Sequence, residues 1–232
     1  MDILLDGIVI IAGNYGSGKT EVAINLAVYR RNQGIDVRMA DLDIVNPYFR
    51  TREARKQLAE FGIEVVLPPE QYMHADLPII SRSVSGLIRN PSTLTILDVG
   101  GNDVGAMVLS SLTDAFQGVS YRMFQVVNPF RPLTQTIDGA LKMKREIENA
   151  SRLTICGWIG NANLIDESTS ETILSGYAFM QRLCETTGLP LVFITVPDFL
   201  TSELQSEKIS CPILPIKRQL VPPWKRAALL QV

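Results

Sequence analysis

Gly13-Asn14-Tyr15-Gly16-Ser17-Gly18-Lys19-Thr20 fits the spacing G-x-x-x-x-G-K-[ST] without a mismatch. It follows a short apolar run at 8–12 and opens a helical pattern at 21–33. Each residue type has a physical use there. Gly13, Gly16 and Gly18 permit turns that aim several backbone N–H groups at one anion, and the helix beginning near Lys19 adds its positive end. Lys19 would neutralise outer phosphate oxygens, and Thr20 would offer a hydroxyl to Mg²⁺. An accidental glycine-rich turn would lack this strand-to-helix setting, so the segment implies a bound nucleoside phosphate.

Two groups of carboxylates fall where they would face that loop. Asp41-Leu42-Asp43 closes a second apolar run, and Asp98-Val99-Gly100-Gly101 closes a fourth. In a parallel sheet, strand ends of the same polarity share one edge, and ligands bind there. Asp98 is thereby placed to hold Mg²⁺ directly or through water, and Gly101 to donate its N–H to a terminal phosphate. Asp43, opposite, suits a metal contact or the orientation of a water for in-line attack. A helix cap or turn is the plainer use of Asp43.

The elements that must position these groups alternate along the chain. Strands are expected at 8–12, 36–40, 63–67, 94–97, 123–127, 153–157 and 191–196. Helices are expected at 21–33, 52–61, 79–89, 106–116, 133–148 and 170–186. Continuous apolar strands between helical patterns, without linker or repeat, predict a single α/β domain over residues 1–232, doubly wound on a mostly parallel sheet. A final strand at 213–214 lies within a basic, proline-containing tail from about 208. That tail holds five cations and no acidic residue, and it is expected to be extended on the surface.

With 232 residues, 46% hydrophobic and 20% charged, the chain can fold around a core without disulfides or metal. Its net charge of −2, with no basic helical stripe, argues against nucleic acid. Cys156, Cys184 and Cys211 lie far apart and His74 is the only histidine, which disfavours a metal cluster or a Ser-His-Asp triad. No stretch is long and apolar enough to span a membrane, and the start of the chain lacks a signal-peptide pattern, so a cytoplasmic location is expected. Pro223-Trp224-Lys225-Arg226 is too short and weakly charged to make a membrane partner the favoured expectation.

The phosphate loop, D-x-D and D-x-G-G together resemble the MinD/ParA/CobQ/CobB-like P-loop nucleotide-binding proteins over roughly residues 7–200. The resemblance implies Mg-ATP and ADP as ligands. Lys19 and Thr20 would hold phosphate and Mg²⁺, Asp43 would belong to the first switch and prepare the water, and Asp98 would belong to the second. It also implies Asn161 on the base, with Pro197 and Asp198 lining its other side. Leu164 stands where a guanine-reading N-K-x-D would have its carboxylate, which favours adenine. Asn14 replaces the lysine that dimeric members carry after the first loop glycine; Arg50, Arg52 and Arg131 are candidate substitutes. The expected function is an ATPase switch, homodimeric, meeting a partner protein through Asn46-Pro47-Tyr48-Phe49-Arg50-Thr51-Arg52 and Asn102-Asp103. The alternative is a small-molecule ligase or kinase of the dethiobiotin synthetase or CobB type, whose members also lack the lysine.

Overall fold

Strands that are apolar on both sides need cover on both sides, and here helices supply it. The computed structural model describes residues 1–43, 50–67, 82–101, 103–204 and 209–220. Its strands are β1 (Gly7–Ala12), β2 (Val37–Leu42), β3 (Glu64–Val66), β4 (Leu94–Val99), β5 (Tyr121–Val127), β6 (Ile155–Gly160), β7 (Leu191–Pro197) and β8 (Ile213–Ile216). They form one eight-stranded sheet in the order β3-β2-β4-β1-β5-β6-β7-β8. Every pairing between them is parallel. The α/β fold is therefore the one expected, on a fully parallel sheet.

Alternate residues of each strand feed opposite cores. Val9, Ile11, Met39, Ile96 and Phe124 pack with α1 (Lys19–Asn32) and α2 (Arg55–Glu60). Ile8, Ile10, Leu97, Val99 and Met123 face α3 (Arg82–Arg89), α4 (Asp103–Ser110), α5 (Thr113–Phe116) and α6 (Ile137–Ser151). Helix α7 (Ser170–Thr187) continues that second layer over β6 and β7, and the short α8 (Thr201–Leu204) closes its end. The chain first builds outward from β1 through β2 and β3, then returns through β4 and leaves on the other side with β5. That reversal opens a crevice beyond the carboxyl end of β1.

Several boundaries differ from the sequence expectation, and three of the differences show where local structure overrides the pattern. The helix expected at 133–148 begins at Ile137, because Leu133 has φ 73° and the Thr134 hydroxyl donates to the Asn128 carbonyl. Thr136 then caps the helix by accepting from Gly139 N–H. The helix expected at 106–116 is broken into α4 and α5, where the Ser111 and Thr113 hydroxyls donate to Val108 and Ser110 carbonyls and compete with the backbone. The strand expected at 153–157 occupies Ile155–Gly160, the first two positions going to the turn after α6.

Leu26 of α1 is fully buried against the sheet. Leu26→Ala is expected to lower the unfolding free energy by about 2–5 kcal/mol in urea titrations, since it leaves a cavity under the helix that carries Lys19.

Candidate functional site

The register of the sheet brings the chemistry together. Asp98 pairs laterally with Ile11 on one side and with Asp41 on the other. The ends of β2 and β4 therefore lie level with the start of the phosphate loop. Asp41, Asp43 and Asp98 are completely buried, as nearly is Lys19. Lys19 Nζ lies 3.2 Å from Asp43 Oδ2. The Thr51 hydroxyl donates to Asp98 Oδ2 at 2.8 Å, while the buried Asp98 Oδ1 has no hydrogen-bond partner among the described residues. Burial pushes the Asp98 carboxyl up to about 7; Lys19 opposes the shift, and the charges of Asp41 and Asp43 add to it.

Asp41 has a different task. Its carboxylate accepts Arg52 Nε at 2.8 Å, Arg52 N–H at 2.9 Å and Asp43 N–H at 3.0 Å. Arg52 also donates to the Asp43 carbonyl. Burial draws the guanidinium pKa down, but the hydrogen bond and charge of Asp41 outweigh it and the net shift is upward. Arg52 thus clamps the segment after β2 instead of lying in solvent. Arg50 is half-buried beside it, its pKa lowered by burial and by Arg52. Asn46, Pro47, Tyr48, Phe49, Asn102 and His74 lie outside the described residues, and so does the tail from 221 onward.

The phosphate loop is held from behind. Asn161 Nδ2 donates to Ser17 O at 2.7 Å, and the Thr195 hydroxyl donates to Asn161 Oδ1. Gly18 caps α1 at φ 85°, and a Cβ there would overlap the Asn161 amide. Gly101 is restricted from the other direction, since its Cβ would come within 2.9 Å of Tyr15 N. Asn161, expected on a base, is thus also a strut of the loop, with one donor and one acceptor position left over. The Ser17 hydroxyl is buried and has no hydrogen-bond partner among the described residues.

In front of the loop opens a cavity of about 660 Å³, within the size range of small-ligand sites. Tyr15, Gly16, Gly18, Lys19 and Thr20 of the phosphate loop line it. Asn161, Asn163, Ile165, Asp166, Pro197, Asp198 and Phe199 line it too, so the residues expected around a base share one cavity with the loop. A further part of the lining was hidden in the sequence. Ile216, Lys217, Arg218 and Leu220 also line the cavity. They belong to the basic tail, yet Gln219 and Leu220 are buried. Asn25 exchanges two hydrogen bonds with Lys217, and Glu21 accepts the N–H groups of Gln219 and Leu220. Burial raises the Glu21 carboxyl to about 7 against those two N–H groups and the charge of Arg218.

Thr51, Asp41 and Glu21 are the functional residues that sequence reasoning missed. Thr51 sat inside the stretch singled out for its aromatics and arginines. Asp41 was visible beside Asp43, but nothing local distinguishes the clamp on Arg52 from the carboxylate that meets Lys19.

No family model matches the chain, and no curated protein matches it in sequence. Solved structures do. The 54 kDa signal recognition particle protein from Aeropyrum pernix K1 in complex with GDP aligns at TM-score 0.55 and 19% identity, over 84% of this chain and 42% of that one. FtsY from Thermotoga maritima gives 0.57 and 18%, over 84% and 65%. The receptor FtsY from Elizabethkingia anophelis in complex with GDP gives 0.55 and 17%, over 84% and 59%. The chain has the P-loop NTPase fold. It spans about two-fifths to two-thirds of the length of these structures, and the finer MinD/ParA-type placement rests on its motifs alone. No helix among the described residues is long and apolar enough to cross a membrane.

Removing Asp41 would take away the carboxylate that pairs with the Arg52 guanidinium. Asp41→Ala is expected to cost about 3–5 kcal/mol in urea unfolding, the range for breaking a buried ion pair, and Arg52→Ala to cost no less than half as much.

Proposed function

We propose that the chain binds a Mg-nucleoside triphosphate in this cavity and hydrolyses it as a switch that acts on a partner protein. The observation that carries the reading is the joint placement of Lys19 on Asp43 and of Thr51 on Asp98, beside one phosphate loop. Both strand ends that face a terminal phosphate are tied to side chains that such a phosphate would redirect. A bound triphosphate would compete with Asp43 for the Lys19 ammonium, and Asp43 would then orient a water. That water attacks the terminal phosphorus, the bond to the bridging oxygen breaks, and diphosphate and phosphate result.

The donor set fits Mg²⁺. The described residues contain no group of three or more His, Cys, Asp or Glu able to hold a metal by themselves. Thr20 lines the cavity and Asp98 keeps an orphaned buried oxygen, which matches an ion that takes few protein ligands and completes its shell with phosphate and water. Thr20, Asp98 and Asp43 would hold it, and it would neutralise charge developing on the phosphate oxygens.

Adenine is the base favoured by Leu164. One observation supports guanine instead: Asp166, two residues on, lines the cavity together with Asn161. Bound GDP in two of the similar structures keeps that second reading in view. Homodimerisation and a partner at the switch segments complete the proposal, supported by the exposed apolar side chains of Tyr15 and Leu133 near the loop.

Lys19→Ala is expected to lower nucleotide affinity at least about 100-fold, whereas Asp43→Ala should keep nucleotide binding, with Thr20 and Asp98 still able to hold the ion, and release no phosphate above background. Parental turnover in Asp43→Ala would show that another group orients the water. Competition of ATP and GTP for one fluorescent nucleotide on the parent protein identifies the base.

A further inference from the structure

Four cationic residues line the cavity: Lys19, Arg131, Lys217 and Arg218. Lys19 is paired with Asp43, and Arg218 lies 3.6 Å from Asp166. Lys217 sits on the tail segment fixed to Asn25. Among the described residues Arg131 makes no ion pair, and its buried Nε has no hydrogen-bond partner there. A buried guanidinium donor left unsatisfied costs free energy, so the fold has a use for it that an anion in the cavity would meet.

The loop that carries Arg131 is built rather than loose. It follows β5, the neighbour of β1 on the side away from β4. The Asn128 side chain donates to Asn163 O at 2.9 Å and accepts Phe130 N–H at 3.0 Å. The Asn128 carbonyl accepts from Arg131 N–H and from the Thr134 hydroxyl. The phosphate loop holds the other end, where Asn14 Nδ2 donates to Pro132 O at 3.0 Å. Asn14 is almost wholly buried, so this contact is a fixed link between the second residue of the phosphate loop and the residue after Arg131. Leu133 at φ 73° completes the turn in a conformation that a β-branched or bulky residue adopts only when its surroundings require it.

We propose that Arg131 contacts the terminal phosphate of the bound triphosphate from within the same chain, and that Asn14 is the positioning residue that aims its loop. This rests on the Mg-nucleotide reading above and specifies its second cation. The guanidinium makes and breaks no covalent bond. It donates hydrogen bonds to phosphate oxygens and offsets their charge, a role that Lys19 shares from the other side. Asn14, where a lysine could have supplied charge, instead fixes the loop that delivers an arginine.

The experiment compares affinities for a non-hydrolysable Mg-triphosphate analogue and the corresponding Mg-diphosphate, by calorimetry, using whichever base the parent binds. Arg131→Ala is expected to weaken the analogue about 10- to 100-fold and leave the diphosphate within about twofold. Arg131→Lys should recover part of the loss. Asn14→Ala should shift the analogue in the same direction, and the double variant should lose no more than Arg131→Ala alone. Phosphate release at saturating nucleotide should fall in Arg131→Ala equally at every protein concentration. An unchanged ratio of analogue to diphosphate affinity in both Arg131→Ala and Arg131→Gln would overturn the proposal, whatever happens to turnover. A loss that vanishes on dilution, or is restored by mixing with Lys19→Ala chains, would mean the arginine acts across a dimer and equally contradicts it. A parent protein that binds neither nucleotide refutes the underlying reading instead, and melting curves superposing on the parent exclude misfolding as the cause.

Discussion

The site depends on how a cluster of buried charges is paired. Three carboxylates at the ends of β2 and β4 are fully enclosed, and Lys19, Arg52 and the half-buried Arg50 face them. Arg52 holds Asp41 and Lys19 holds Asp43, while burial and the charges of Asp41 and Asp43 push the Asp98 carboxyl up to about 7 against the opposing charge of Lys19. Desolvated carboxylates repel one another, and a cation beside them offsets that repulsion. A divalent ion arriving with a triphosphate, as proposed, would do so at Asp98. Nothing else among the described residues gives Asp98 Oδ1 a partner.

From this follows a division of labour that the chain order conceals. Asp41 and Arg52 are a fastening that joins the end of β2 to the 3-10 turn at Thr51–Ala54, and this fastening presents Thr51 to Asp98. Asp43 and Asp98 are the groups left to respond. Behind the loop, Asn161 and Thr195 tie Ser17 to β6 and β7; beside it, Glu21 and Asn25 tie α1 to the segment after β8. The loop is thus braced by the sheet ends that surround the cavity, which keeps its N–H groups aimed before any phosphate arrives. Pre-organisation of this kind spares the ordering cost that a floppy loop would incur on binding.

The fold was legible because buried parallel strands are read as apolar runs closed by glycine or aspartate, and the helices between them have clear stops at Gly34, Gly62 and Gly188. The phosphate loop was legible because its physics is local: the residues that act are neighbours in sequence. The rest required contacts between distant segments. Nothing around Thr51 announces Asp98, 47 residues away, and the basic residues at 217 and 218 looked like a surface tail until Glu21 and Asn25 were seen to hold them. Helix α6 begins late for the same reason, since the Asn128 carbonyl that captures Thr134 belongs to the preceding strand end.

The central claim is that a terminal phosphate, and not nucleotide in general, rearranges the two strand ends. Hydrogen exchange read at residues 50–54 and 98–101 tests it most directly, comparing Mg-diphosphate with a non-hydrolysable Mg-triphosphate at saturation. The account predicts that both ligands protect the phosphate loop equally, while the triphosphate alone changes exchange at Thr51 and around Gly101. Identical exchange in the two complexes at those positions would contradict it, and the cavity would then be a nucleotide site without a switch.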